Sequence, residues 1–237
     1  MPTSANDSPD YTTDGANFLS PLPDTENINP FGRALNASSR KRLVLDAAAQ
    51  LFERHGYHGT SMQDIASDVG ITKSALYHYV ESKEQLVYEI HDAFVSTMIQ
   101  EADEFLLSTP DPVDQLKLIV ASTFRTIANY RPYVRAFFQD MHNLEGAEWY
   151  SRVVEKRRYY EGIVADCLQR GQEQGRFEFE VGPLFASRFL FGACNWAYQW
   201  LDPAGEVSPE ELAEQWSVML LKGFAPVSDR PDGSDPT

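Results

Sequence analysis

From residue 40 to residue 224 the apolar residues recur every three or four positions, the spacing that lines one face of an α-helix. Val44, Ala47, Ala48, Leu51 and Phe52 form the first such stripe, which ends near Gly56, a residue suited to a left-handed helix stop. A second helix starts at Thr60, where Thr60 and Gln63 have the spacing of a capping box. It carries Ile65, Ala66 and Val69 on one side and halts at Gly70. Thr72 caps a third short helix running through Tyr79, and Ser82 with Gln85 opens a long one whose buried stripe is Leu86, Ile90, Phe94 and Met98. Further helices are predicted over about 113–130, 132–143, 147–174, 183–201 and 208–223. Pro112, Pro132, Pro183 and Pro209 sit where a first helical turn tolerates a missing N–H. Only residues 176–180 offer a strand, too short to found a sheet, so the expected fold class is all-α.

Outside this range the pattern stops. Residues 1–36 hold five prolines among Ser, Thr, Asp and Asn and read as a mobile arm, because so little apolar surface cannot offset the entropy of ordering. Residues 225–237 have the same character and read as a tail. Cys167 and Cys194 form no CxxC pair, which suggests neither a disulfide framework nor a zinc site. The longest strongly apolar stretch, residues 189–201, is too short to span a bilayer, and the N-terminus has no basic segment followed by an apolar run. These features point to a cytoplasmic protein with no membrane partner.

The segment from Thr60 to Val80 carries the most chemistry. Two short helices joined by Gly70-Ile71-Thr72 have the spacing of a helix-turn-helix, whose second helix enters the DNA major groove. Ala66 is small where the helices cross, and Ile65, Ile71 and Leu76 supply an apolar triangle between them. Lys73, Ser74, Tyr77 and His78 then project outward, offering donors to phosphates and base edges and an aromatic to a thymine methyl. His55 and His58 flank Tyr57 as surface residues.

The run LDAAAQLFERHGYHGTSMQDIASDVGITKSALYHYVESKEQL, from Leu45 to Leu86, resembles the N-terminal domain of the TetR family of bacterial transcriptional regulators. The matching residues are Ala48, Leu51-Phe52, Gly56, Thr60, Ile65-Ala66, Gly70, Leu76-Tyr77 and Ser82-Lys83; Val80 stands where Phe is frequent and Ser74 where Gly is. The resemblance implies a dimeric, ligand-released repressor of two helical units, a DNA-binding unit (37–84) and an effector-binding and dimerisation unit (85–224), between the arm (1–36) and the tail (225–237) that composition marks. It further implies that Thr60 and Ser61 hold a phosphate, Lys73, Ser74 and Tyr77 face bases, His78 and Tyr79 face the backbone and Lys83 takes another phosphate. Arg40, with Lys41 and Arg42, is placed to touch the backbone or minor groove.

The second half is expected to pair with a copy of itself. The helix over 183–201 is apolar nearly all round, carrying Phe185, Phe189, Ala193, Trp196 and Trp200, and the next carries Leu212, Trp216, Met219, Leu220 and Phe224. Such surfaces suit a four-helix bundle across a two-fold axis, the dimer that the resemblance also implies. Candidate residues for an effector cavity are Phe137, Phe138, Met141, Arg157, Tyr160, Asn195, Trp196 and Tyr198. The basic run Lys156-Arg157-Arg158 reads either as a solvated face pairing with Glu155 and Glu161 or as a clamp for the phosphates of a coenzyme A thioester. Residues 195–216 are similar to the C-terminal region of TetR-type regulators that answer to acyl-CoA or control fatty-acid and steroid breakdown.

Composition then sharpens the picture. The net charge is -15, which repels DNA from the body as a whole. The excess is unevenly spread: residues 37–90 hold six bases and seven acids, so the reading segment is nearly neutral while the rest is acidic. Binding should therefore be selective, salt-sensitive and dependent on paired heads. No GxSxG, P-loop, GxGxxG or HExxH motif is present, and Asp140-Met141-His142 lacks a third metal ligand, so neither an enzyme nor a bound cofactor or metal is expected. The expected partners are a double-stranded palindromic DNA operator, a second copy of the chain and a small hydrophobic effector such as an acyl-CoA thioester. The expected role is control of lipid or steroid catabolism; the alternative is regulation of a drug-efflux system by xenobiotics.

Overall fold

The structure is a computed structural model that describes residues 39–139 and 149–224. The arm, the tail, Met141 and the Asp140-Met141-His142 pair lie outside the described residues. Among those described the chain is all helix: α1 (Ser39–Gly59), α2 (Met62–Val69), α3 (Lys73–Leu76), α4 (Lys83–Ser108), α5 (Pro112–Asn129), α6 (Arg131–Gln139), α7 (Tyr150–Glu173), α8 (Pro183–Asn195), α9 (Ala197–Trp200) and α10 (Pro209–Phe224).

Helices α1, α2 and α3 fold on one another and against the start of α4. Val44, Leu45, Ala48, Phe52, Ile65, Ala66, Leu76, Val80, Leu86 and Ile90 are almost fully buried there. The expected stop at Gly56 is present as a kink with φ 73°, although helical bonding resumes to Gly59. Gly70 closes α2 at φ 73°, ψ 32°, with its N–H on the carbonyls of Ala66 and Ser67.

Three local expectations change. The cap of α2 is Ser61, not Thr60: Ser61 Oγ accepts from the Asp64 N–H (3.2 Å) and Asp64 Oδ2 accepts from the Ser61 N–H (2.8 Å). Gln63 instead turns to Ser67. Helix α3 spans only four residues behind its Thr72 cap, after which Tyr77, His78 and Tyr79 follow in tighter turns, Tyr79 donating to the Leu76 carbonyl at 2.9 Å. Ser82 caps α4 by accepting from the Gln85 N–H, but the Gln85 side chain returns to the Glu81 N–H.

Helices α4, α5, α6, α7 and α8 pack around a common interior, and α10 lies along α5. Asp111 caps α5, with Pro112 in its first turn. The helix expected over 183–201 breaks at Trp196, where the turn tightens and swings the indole outward while Ala197 and Tyr198 stay buried. Residues 176–180 form no strand; Phe177 folds down onto Gly171, and the Glu178 N–H donates to the Phe224 carbonyl at 2.7 Å.

Gly171 sits mid-helix with the Phe177 ring where a side chain would be: an added Cβ would lie 2.1 Å from that ring, whereas one on Gly162 of the same helix meets nothing within 4 Å. Gly171→Ala should therefore destabilise by about 1–3 kcal/mol through overpacking, and Gly162→Ala should stabilise by about 0.5–1 kcal/mol through helix propensity. Urea unfolding of the two variants measures both signs.

Candidate functional sites: a reading head and a cavity

Lys73, Ser74, Tyr77 and His78 are all exposed on α3 and the turn after it, and Arg40 is exposed at the start of α1. Ser61 is exposed at the N-terminus of α2, where its hydroxyl also donates to Asp64 at 2.7 Å. These contacts hold the Asp64 carboxyl below its usual range. Tyr79 is half-buried against the core.

Two residues expected to grip phosphates are used inside the protein. Thr60 is 2% exposed, and its hydroxyl donates to the carbonyls of Leu51 (3.2 Å) and Gly56 (3.0 Å). It closes the corner between α1 and α2. Lys83 Nζ donates to the carbonyls of Tyr57 (2.7 Å) and Thr60 (2.9 Å) and lies 4.1 Å above the Tyr57 ring. The Tyr57 hydroxyl in turn donates to Glu84 at 2.7 Å, which holds that carboxyl below its usual range. The start of α4 is thereby tied to the loop that presents α2. A second tie joins Lys41 on α1 to Glu89 on α4, at 2.7 Å.

The second site is a partly open pocket of about 90 Å³ in the larger helical body. Phe94, Val95 and Met98 of α4 form one wall and Thr123, Thr126 and Ile127 of α5 another. Phe137 and Phe138 come from α6; Arg157, Tyr160 and Glu161 from α7; Phe191 and Asn195 from α8. Five of the eight candidate effector residues thus line one space. Tyr198 stacks behind Phe138 (4.9 Å between ring centres) without lining it, and Trp196 is 62% exposed on the outer surface, so neither belongs to the wall. The α4 and α5 contributions were missed because the α4 stripe reads as ordinary core. Thr123 and Thr126, polar residues on the core-facing side of α5, were the available signal.

The basic run divides three ways, because successive helical residues point about 100° apart. Lys156 pairs with Asp92 and Ser96 of α4, Arg157 turns to the cavity with its guanidinium carbon 5.5 Å from the Phe137 ring centre, and Arg158 is exposed. Neither expected partner, Glu155 or Glu161, pairs with the run; Glu161 pairs with Arg188 at 3.5 Å. Arg157 has no ion-pair partner among the described residues. Beyond Thr123, Glu101 accepts from Ser122 on α5, and burial raises its pKa.

Behind Phe137 lies His91 of α4, fully buried with its ring centre 4.7 Å from the Phe137 ring and no hydrogen-bond partner for either nitrogen. Burial pulls its pKa down to about 3; the Ala136 backbone, close by but short of hydrogen-bond geometry, partly opposes this and the Arg157 charge reinforces it. Among the described residues no group of three His, Cys, Asp or Glu side chains is placed to hold a metal, and no helix is long and apolar enough to cross a membrane.

The outer faces of α8, α9 and α10 carry a run of exposed apolar side chains, Phe185 (66%), Phe189 (63%), Trp196, Trp200 and Met219 (70%). Scattered apolar residues are normal on a surface, but a cluster of large ones marks a face that another surface covers.

Residues 44–90 match the family described as bacterial regulatory proteins, tetR family, and residues 109–224 match the Tetracyclin repressor-like C-terminal domain. The TetR-family transcriptional regulator PfmR from Thermus thermophilus is 31% identical and superposes with a TM-score of 0.70, over 77% of this chain and 99% of that one. The chain belongs to the TetR family of bacterial transcriptional regulators. Within the family it is 28% identical over 188 residues to the transcriptional repressor KstR2 of Rhodococcus jostii, covering 79% of this chain and 92% of that protein. It is also similar to AibR, solved in complex with isovaleryl coenzyme A and operator DNA: 25% identity, TM-score 0.70, 77% of this chain and 98% of that one.

The buried His91 makes a prediction about pH. Its folded pKa lies below its unfolded value of about 6.5, so its contribution is intact above pH 6.5 and is lost as pH falls towards 3, at up to about 1.4 kcal/mol per pH unit. Chemical unfolding of wild type and His91→Leu between pH 7 and 4.5 should show a shallower acid decline in the variant by about that slope.

Proposed function

We propose that this TetR-family protein is a homodimeric repressor that binds a palindromic operator and is released from it by a hydrophobic small-molecule effector of the acyl-CoA kind, in control of lipid or steroid breakdown. The observation that carries the effector class is Arg157, a cation without a counter-charge on the wall of an otherwise largely apolar cavity. An apolar ligand with an anionic group meets both features. A cationic drug does not: Glu161 is engaged by Arg188, and burial raises the pKa of Glu101. A partly open space of about 90 Å³ is well below the roughly 300–1,000 Å³ of a site that encloses a drug-sized ligand. It suits an acyl segment, with the nucleotide part of a thioester outside. The acyl-CoA bound to AibR and the repressor role of KstR2 support the same reading.

On the DNA side, Lys73, Ser74 and Tyr77 face base edges, His78 and Ser61 the backbone, and Arg40 the phosphates beside α1. Lys83 and Thr60 position the α2 loop rather than touching DNA. Two heads are needed because each offers few bases and the rest of the chain is acidic. The exposed faces of α8 and α10 join the two copies. Both α4 and α6 touch the reading head and the cavity, so an effector that shifts either changes the spacing of the heads.

Three measurements test this reading. Medium-chain acyl-CoA should lower affinity for the palindrome nearest the gene at least fivefold in fluorescence anisotropy, while cationic dyes should not; the reverse order would sink the effector class. Phe189→Asp should turn the dimer into a monomer by light scattering and cost at least tenfold in operator affinity. In salt titrations, Lys73→Met should flatten the slope of log K against log salt by about one per head, whereas Lys83→Met should weaken binding with the slope unchanged.

A further inference from the structure

Four polar side chains on the cavity wall have no hydrogen-bond partner among the described residues: Thr126, Arg157, Tyr160 and Asn195. Their neighbours on the wall do not share this condition. Thr123 donates to the Ile119 carbonyl at 2.9 Å, and Glu161 has Arg188. Thr126 is 4% exposed on the core side of α5, and Tyr160 lies deep in the body with its ring against Phe191, its remaining accessible surface facing the cavity. A polar group withdrawn from bulk solvent without a protein partner needs water or a ligand to meet it. Thr126 is buried and the other three are half-buried, and all four face one small space from three different helices.

In solution these groups are met by water, for which the space is large enough. A ligand that enters displaces that water, and one made only of hydrocarbon strands the hydroxyls of Thr126 and Tyr160 and the amide of Asn195. A ligand with oxygen atoms at matching positions keeps the bonds and wins by the difference. Sites built around hydrogen-bonding groups discriminate in this way much more strongly than purely apolar ones.

We infer that the buried part of the effector is an oxygenated apolar acyl group, bearing a hydroxyl or oxo substituent opposite Thr126, Tyr160 and Asn195, with an anionic group at Arg157. This rests on the effector class proposed above and narrows it. The anion at Arg157 is either a carboxylate of the acyl part or a phosphate of coenzyme A.

Isothermal titration of the full-length protein tests the inference with straight-chain saturated acyl-CoA thioesters, thioesters of the same chain lengths carrying one hydroxyl or oxo group at successive positions, the corresponding free acids and coenzyme A alone. At least one oxygenated thioester should bind about tenfold or more tighter than its saturated parent. Thr126→Val, an isosteric change, should erase that ratio by tightening the saturated parent and weakening the oxygenated thioester. Its ligand-free melting temperature should hold, as should that of Tyr160→Phe, since each hydroxyl lost is bonded to water and to no protein group. Arg157→Met should abolish binding of the free acids if a carboxylate sits there, or of thioesters alone if a phosphate does. Saturated thioesters that bind as tightly as every oxygenated partner would overturn the inference while leaving the acyl-CoA reading intact. Unchanged binding of all ligands to Arg157→Met would overturn the anion contact. If no thioester or acid binds, both the effector class and the inference fall.

Discussion

The nine residues of α6 hold the two halves of this protein to one another, and most of the functional account depends on how they are clamped. On one side Tyr133 donates to Asp46 of α1 at 2.5 Å, and Arg131 and Arg135 both approach Glu53 at 3.6 Å. On the other side Phe137 and Phe138 form part of the cavity wall. A short helix fixed at both faces cannot move one without disturbing the other, since packed interiors yield by discrete shifts rather than by smooth compression. The groups on and beside this helix include polar atoms without hydrogen bonds. His91 sits unpaired against Phe137, and the Nε atoms of Arg131 and Arg135 are buried without hydrogen bonds.

Local signals in the sequence carried the helices well, because caps and stops depend on residues three or four apart. Gly70, Thr72, Ser82 and the stripe from Leu86 to Met98 all have the structural roles their spacing implies. What spacing cannot reveal is a partner far along the chain. Thr60 reads as a cap in isolation, but its hydroxyl belongs to Leu51, nine residues back, and Lys83 reaches 26 residues back to Tyr57. A cluster of bases in sequence is likewise no cluster in space, as Lys156, Arg157 and Arg158 demonstrate. The cavity was only half legible: the aromatic residues of α6 and α7 stand out by composition, while the α4 wall is indistinguishable from core. Threonines among aliphatic residues on α5 were the one mark of a polar lining.

The uneven charge has a structural counterpart. Bases of the reading segment that are not exposed are bound internally, Lys41 to Glu89 and Lys83 to backbone carbonyls. The exposed bases that remain, Arg40, Arg42, Arg54 and Lys73, are few for a protein that must overcome an acidic body. On the function proposed above, affinity comes from doubling the head, which ties operator binding to the apolar faces of α8 and α10 and makes spacing between heads the quantity that an effector exploits.

The central claim, that the cavity and the reading head are two ends of one coupled device, implies reciprocity. Titrating a medium-chain acyl-CoA into the free protein and into the operator-bound protein tests it most directly. If the two sites are coupled, the operator should weaken acyl-CoA binding by the same factor by which acyl-CoA weakens operator binding, and Tyr133→Phe should shrink both factors together. Equal acyl-CoA affinity on and off DNA would contradict the account.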